Sequence, residues 1–437
     1  MDLEKARQGL SDYYKMFKSK HVINCQELKD LMEPIFVEAG FRQSPAAGQQ
    51  PKILIIRDDA AGDFVLFSAF LREARRIYSG AQIVLLCSSR NKDLAQYCPY
   101  IDTLLVNTTY DHIKGNDNDL ALQAIIRVAT KLQEYNFDLA FTPRLGLLTS
   151  TLLTAYMCGA TQVIGFTQDR VNEDTNALYK VGWDCLMTVA IPIIRQPMSD
   201  VARNLYMLEY LTHMPIQNRK LEVWFTEAER QKAAELLTPL QKHGCEYLIA
   251  VVPVASLRMN QWSIKRYIAL CKWILTQNPK AGIVIMGGPN EITIANTLRR
   301  ALGGYKRAVS LAGKTNFRVS AALMSMCNIY VGNDTGLMHI AAACKLPVLT
   351  VMCFPADMKF ASMSNPLRFR PYMVPSVIVL PATSKGDECH ARQARGCSHE
   401  NEPHCILNVS VDAMKAGYTA LLQRVSSGIN ELLILKS

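Results

Sequence analysis

Short β-branched apolar runs alternate with amphipathic stretches of helical period through most of the chain. Lys52 to Arg57 (Lys-Ile-Leu-Ile-Ile-Arg) and Gln82 to Cys87 predict buried strands. The period of Phe64 to Tyr78 predicts a helix between them, reached through a turn from Asp58 to Asp63. A strand over Thr103 to Val106, a helix over Leu120 to Tyr135 and a strand over Asp138 to Thr142 extend the series. Leu145 to Gln168 has no charged residue and is long enough to span a bilayer. It is studded with Thr149, Ser150, Thr151, Thr154 and Gln162 and broken at Gly159-Ala160, which predicts a buried helix followed by a strand.

Ahead of this series, Tyr13, Tyr14, Met16 and Phe17, then Leu28, Leu31, Met32, Ile35 and Phe36, keep helical period up to the loop from Ser44 to Pro51. Beyond it, a helix from about Asp200 to Leu211 and the stretch Pro215 to Lys220 join two halves. Thr226 and Glu229 make a capping box that opens a helix ending near Leu237. The pattern restarts at Tyr247, with strands over Leu248 to Val252 and Ala281 to Met286 and helices over Ile264 to Thr276, Glu291 to Leu302 and Arg318 to Met326. Such alternation predicts an α/β chain of two doubly wound parallel sheets facing across a cleft. The expected division is 1–50 as a helical N-terminal extension, 51–200 as the first domain, 201–245 as linker and helix, 246–385 as the second domain, and 386–437 as a cysteine-containing loop and C-terminal helix.

Asn328 to Val351 is the richest stretch: a buried strand, the turn Gly332-Asn333-Asp334-Thr335-Gly336, and a helix that Pro347 closes. The two glycines allow positive φ and close approach of a ligand, and Asp334 or Thr335 can cap the helix. Free amides at such a helix end suit phosphate, with His339 one turn in as a further donor.

Composition narrows the partners. At 49% hydrophobic and 20% charged the chain is globular, and its net charge of +10 favours an anionic substrate or surface. Only short basic clusters such as Arg72, Arg75 and Arg76 occur, without interleaved aromatics, which argues against nucleic acid. The start Met1-Asp2-Leu3-Glu4-Lys5 lacks the layout of a secretory signal, so a cytoplasmic location is expected, with the 13 cysteines mostly reduced. Cys87, Cys185, Cys271 and Cys344 lie in apolar runs and read as small core residues.

The loop Arg57-Asp58-Asp59-Ala60-Ala61-Gly62-Asp63 follows the first strand and lacks both a dinucleotide fingerprint and the lysine of a P-loop. A carboxylate here can take a proton from an attacking hydroxyl, as sugar transfer with inversion requires; Asp63 fits this role, or else it caps the helix. Asp58 and Asp59 are expected to press on it by like-charge repulsion.

Taken together, these loops resemble glycosyltransferase family 9, the ADP-heptose:lipopolysaccharide heptosyltransferases, over roughly Lys52 to Tyr418. In that family D-T-G-x-x-H contacts the sugar nucleotide, which implies such roles for Asp334, Thr335, Gly336 and His339. The family's I-I-R-x-x-x-x-G-D carries the proposed base, here Asp63. Its Ser or Thr serving the diphosphate matches Ser256, but Asn260 stands where the family has a lysine two residues before Trp262. Arg258 is the nearest substitute, with Lys265 or Arg266 behind it. Met286-Gly287-Gly288-Pro289-Asn290-Glu291 resembles the family's G-G-x-x-E turn, implying that Glu291 bonds the ribose, and Gly313-Lys314-Thr315 resembles a further turn beside the nucleotide.

The resemblance implies a GT-B fold and a metal-independent, cofactor-free inverting transfer of heptose from ADP-heptose to an anionic lipopolysaccharide inner-core acceptor, in a bacterial cytoplasm at the inner face of the inner membrane. Arg57 and Arg144 are expected to bind the acceptor, with Arg72, Arg75, Arg76, Arg90 and Lys92 in the same half. Two alternatives stand beside this: heptose transfer to an autotransporter protein, and a nucleotide-sugar-binding protein without catalysis. The cluster Cys389, His390, Cys397, His399, His404 and Cys405 fits no standard zinc spacing and is expected to hold no metal.

Overall fold

A computed structural model describes the chain except residues 21–22, 44–47, 109–117, 145–148, 168–181, 195–197, 257–259, 355–365 and 383–403; the side chains of residues 20, 118, 149, 404 and 405 also lie outside the described set. The chain forms two compact units. The first holds Met1–Ala60, Ala69–Gln196 and Ala202–Arg219, and the second holds Ala61–Ser68, Pro197–Val201 and Lys220–Ser437.

The strands of the first unit are β1 (Lys52–Arg57), β2 (Gln82–Ser88), β3 (Thr103–Asn107), β4 (Leu139–Thr142), β5 (Gln162–Phe166) and β6 (Val189–Ile191). They make one parallel sheet in the order β3-β2-β1-β4-β5-β6. The helices up to the join are α1 (Leu3–Lys20), α2 (Cys25–Glu38), α3 (Ala61–Ile77), α4 (Lys92–Ala95), α5 (Asn118–Leu132), α6 (Thr149–Met157) and α7 (Asp200–Thr212). From Ile53 onward β1 is buried at every position, as expected of a parallel strand covered on both faces. The N-terminal helices are part of this core: Leu10, Tyr13, Phe17, Leu28, Met32 and Phe36 pack in one cluster with Leu54, Ile56 and Val84. Gly159, at φ +79, lets the chain leave α6 and also admits Phe41, whose ring a Cβ at this position would approach to 2.5 Å.

The second unit adds β7 (Tyr247–Val252), β8 (Ala281–Ile285), β9 (Ala308–Ser310), β10 (Ile329–Asn333), β11 (Val348–Val351), β12 (Ser376–Leu380) and β13 (Leu432–Lys436). These too form one parallel sheet, ordered β13-β12-β11-β10-β7-β8-β9. Its helices are α8 (Glu227–Lys242), α9 (Ile264–Gln277), α10 (Ile292–Ala301), α11 (Phe317–Ser325), α12 (Gly336–Ala343), α13 (His404–Leu407) and α14 (Val411–Ser426). The capping box at α8 is present, with Glu229 accepting from the Thr226 amide at 2.6 Å.

Both sheets reverse strand order once, between β1 and β4 and between β7 and β10. Ligands of doubly wound sheets bind beyond the carboxyl ends of the strands at such a switch point. The loops after β1, β4, β7 and β10 carry most of the residues singled out from the sequence.

Three differences from expectation have simple causes. Helix α3 starts at Ala61 rather than Phe64, because Ala-Gly-Asp continues the helical turn, so Asp63 lies in its first turn. Strands β6 and β9 are three residues each, too short to show a period. The C-terminal segment ends in β13, which pairs with β12 from Ser376↔Leu432 to Leu380↔Lys436, so the tail completes the second sheet. Cys87 and Cys271 are buried free thiols pushed up to about 12, chiefly by burial, as core residues should be, whereas Cys185 and Cys344 are only half-buried. Among the described residues no helix is long and apolar enough to cross a membrane.

Candidate functional site

At the carboxyl end of β10, Asn333 is wholly buried. Its Oδ1 accepts from the Trp262 amide at 3.1 Å and from the Tyr267 hydroxyl at 2.8 Å, and its carbonyl accepts from the Tyr330 hydroxyl at 2.9 Å. These bonds tie the loop after β7 to the start of the Asp334 turn. Asn333 is a strut that sequence reasoning missed, because an amide inside a turn motif looks like turn chemistry. Asn333→Ala would leave a buried hydroxyl and a buried amide without their acceptor, and is expected to cost about 2–4 kcal/mol in denaturant unfolding.

Neither Gly332 nor Gly336 has positive φ. Close approach explains both glycines instead. A Cβ on Gly332 would lie 2.6 Å from the Tyr330 hydroxyl and 2.8 Å from the Val252 carbonyl oxygen, and one on Gly336 would lie 3.2 Å from the backbone nitrogen of Gly62. A Cβ on Gly62 would in turn lie 2.8 Å from His339 Cδ2 and 3.2 Å from Gly336 Cα. The N-terminal ends of α3 and α12 therefore meet glycine to glycine within the second unit.

Thr335 takes the N-cap position of α12 and Ala60 that of α3, and neither side chain caps by a hydrogen bond. The expectation of a capping Asp334 or Thr335 is met only in position: Thr335 sits at the N-cap with the extended backbone usual there, φ −149 and ψ 169, but its side chain makes no capping bond, and Asp334 lies one residue before the cap. Gly62→Ala is expected to cost about 1–3 kcal/mol through overpacking. Gly303→Ala, where a Cβ meets nothing within 4 Å, serves as control in the same unfolding measurement. Equal midpoints for the two variants would show that the helix ends do not pack as described.

The pair of helix ends brings Asp63, Asp334 and His339 together. Burial, and then the Asp63 charge, push Asp334 up to about 7. Burial pushes His339 down to about 4 even though Asp63 and Asp200 pull the other way, so its imidazole is neutral. His339 Nδ1 is buried without a protein partner. Asp200 is held by Arg368, Nε to Oδ1 at 2.7 Å and Nη2 to Oδ2 at 3.2 Å. That clamp too escaped sequence reading, since its partners lie far apart in the chain.

The remaining expected donor contacts are scattered over neighbouring loops. Ser256 is exposed just beyond β7, and Arg258 lies outside the described residues. Asn260, in the place of the expected lysine, accepts from the Cys353 thiol at 2.9 Å. Arg266 donates to the Val409 carbonyl at 2.7 Å, which commits it to the C-terminal segment and removes it as a substitute for that lysine. Lys265 remains exposed. Glu291 accepts from the Gly288 amide and so braces its own turn, while Gly313, at φ +73, donates its amide to the Gly287 carbonyl at 3.0 Å. Thr315 pairs with Ser320 at 2.8 Å.

In the first unit Arg57 is buried, 3.0 Å from Asp59 Oδ2 and donating to the Pro143 carbonyl at 3.0 Å; Arg144, partly exposed, lies 3.8 Å from the same carboxylate. Asp59 is thus paired with arginine within the first unit. The expected basic acceptor surface is largely spent on structure. Arg72 donates to the Asn218 carbonyl, Arg75 to the Ala81 carbonyl and Asp102, and Arg76 to the Pro215 carbonyl and Glu73. Arg90 and Lys92 are exposed. Cys389, His390, Cys397 and His399 lie outside the described residues, as do the side chains of His404 and Cys405.

A family model for glycosyltransferase family 9 (heptosyltransferase) matches residues 125–399. Lipooligosaccharide heptosyltransferase 2 of Haemophilus influenzae is 32% identical over 145 residues, 32% of this chain and 38% of that protein, so the match spans well under half of the curated relative. A glycosyltransferase family 9 structure from Veillonella parvula superposes with a TM-score of 0.64 at 18% identity, covering 85% of this chain and 97% of that one. The Escherichia coli ADP-heptose lipopolysaccharide heptosyltransferase II structure gives 0.60 at 16% identity, covering 86% and 99%. At such identities the structural likeness shows the fold, the GT-B class.

Proposed function

Because the chain belongs to glycosyltransferase family 9, we propose that it is an inverting glycosyltransferase that moves heptose from ADP-heptose to a lipopolysaccharide inner-core acceptor. The observation that carries this reading is the meeting of α3 and α12, which sets Asp63 beside Asp334 and His339 at two helix ends without side-chain caps. The amides of α12 suit the leaving diphosphate, and neutral His339 adds a donor without adding charge. Asp63 is the general base that takes the acceptor hydroxyl proton as the oxygen attacks the anomeric carbon. Asp334, Thr335 and Gly336 hold the sugar nucleotide, and Ser256, Arg258 and Glu291 complete its site. Arg144 remains available to the acceptor, while Arg57 orients Asp59. The reaction needs no metal, since the helix end and its donors stabilise the leaving group. The enzyme works on the cytoplasmic side of a bacterial inner membrane, where such a donor and acceptor meet.

Asn260 in the lysine position favours one second reading, binding of a nucleotide sugar without turnover. Incubation of the full chain with a panel of nucleotide sugars, ADP-heptose among them, decides between the two. Release of ADP with heptose appearing on the acceptor is expected. Calorimetric binding without ADP release would overturn transfer in favour of the second reading, and neither binding nor release would overturn both.

A further inference from the structure

Beside the turn that leads to α3, at the carboxyl edge of the first sheet, three buried oxygen atoms have no protein hydrogen-bond partner: Asp58 Oδ1, Ser88 Oγ and Asn91 Oδ1. Strand pairing places their residues side by side. Arg57 of β1 lies opposite Cys87 of β2, so Asp58 leaves its strand next to Ser88. Ser88 in turn lies opposite Asn107 of β3, a buried polar residue. Asn91 is fully buried and donates Nδ2 to the Asp59 carbonyl at 2.9 Å, which fixes its amide against the same turn. The result is a polar shelf running from β1 to β3 at the strand ends where such sheets take ligands.

The charge around the shelf is balanced. The two carboxylates of Asp58 and Asp59 face the two guanidinium groups of Arg57 and Arg144, both of which act on Asp58. An anion could accept from the Ser88 hydroxyl but would bring no hydrogen to Asp58 Oδ1 and Asn91 Oδ1, which can only accept. A metal ion would meet two guanidinium groups. Neutral hydroxyls, each with one proton to give and lone pairs to receive, match what is missing. Leaving such buried acceptors unmet costs stability, so a ligand that supplies donors gains affinity there.

We propose that Asp58, Ser88 and Asn91 bind adjacent hydroxyl groups of a neutral sugar ring, so that the acceptor is recognised through its hydroxyls rather than through its anionic substituents. The inference rests on the transfer reading only in calling this sugar the acceptor. It also replaces the expectation that basic side chains of this half select an anionic core, since most of those arginines are tied to backbone carbonyls and carboxylates.

The test is titration of the full chain with deacylated lipooligosaccharide core oligosaccharide, phosphatase-treated or not, at about 0.05 M and about 0.5 M salt, which span weak and strong screening. Binding is expected to change by less than about twofold with phosphate removal or salt, because hydroxyl contacts are not screened as charge pairs are. Asp58→Asn is expected to weaken it by about tenfold or more through loss of a charged acceptor, and Ser88→Ala by about threefold. Both changes are nearly isosteric, and unfolding curves confirm that the variants are folded. Absence of binding, a steep loss with salt or dephosphorylation, or wild-type affinity in both variants would overturn the proposal. Transfer measured on the same samples separates the two claims. Turnover indifferent to the shelf variants would overturn the shelf alone, and shelf-dependent binding without turnover would overturn the transfer reading alone.

Discussion

Asp63→Asn is expected to lower turnover by about two to four orders of magnitude while changing the ADP dissociation constant by less than about threefold, the signature of a lost general base. The amide has the size of the carboxylate and the helix position is unchanged, so packing against Gly62 and Gly336 persists. The variant also carries an internal control. Because the Asp63 charge helps to push Asp334 up to about 7, its removal lowers the Asp334 pKa, which NMR titration of the carboxyl carbon reads directly. Turnover that falls together with a downward move of Asp334 locates the lost group beside Asp334. Turnover equal to wild type would remove Asp63 from the reaction, whatever Asp334 does.

Much of the fold was open to reading because each sheet is built from apolar runs separated by helices of clear period. Where length was short the signal failed, as in β6 and β9, and where strand and partner were separated by more than fifty residues, as in β12 and β13, no local pattern announced the pairing. The site divides in the same way. Asp334, Gly336 and His339 lie within one turn of helix and declare themselves together. Gly62 against Gly336, Asn333 under Trp262 and Tyr267, and Asp200 on Arg368 are contacts between distant segments, so composition around each residue carries no trace of them. The arginines were misread for a related reason. A cluster on a helix looks like a binding surface until the backbone carbonyls it reaches are known, and those belong to residues as far away as Pro215 and Asn218.

Asp334→Asn should stabilise the protein at pH 8, do so less at pH 5, and leave it nearly unchanged below about pH 4. The folded-state pKa of Asp334 is raised from 3.8 to about 7, so the folded chain binds the extra proton between those values. Stability from this group is therefore fully present below about 4, declines as pH rises, and is lost above about 7. The difference between 3.8 and about 7 corresponds to about 4 kcal/mol. Asp334 keeps part of its surface accessible, so about 2–4 kcal/mol is the gain expected from the uncharged amide at pH 8. His339 works in the opposite sense: lowered from 6.5 to about 4, it stays neutral in the fold, and its contribution is lost as pH falls between those values. In the wild type the two slopes oppose one another between about pH 4 and 6.5, whereas the variant should show the His339 slope alone, rising with pH and then flat. Urea unfolding across this range measures both curves. The same substitution is expected to weaken ADP-heptose binding by about tenfold, one charged hydrogen bond to the donor. A residue whose removal strengthens the empty protein and weakens its complex is maintained for the ligand. Equal stability of variant and wild type at pH 8 would mean that burial and the neighbouring Asp63 charge do not raise Asp334 as described.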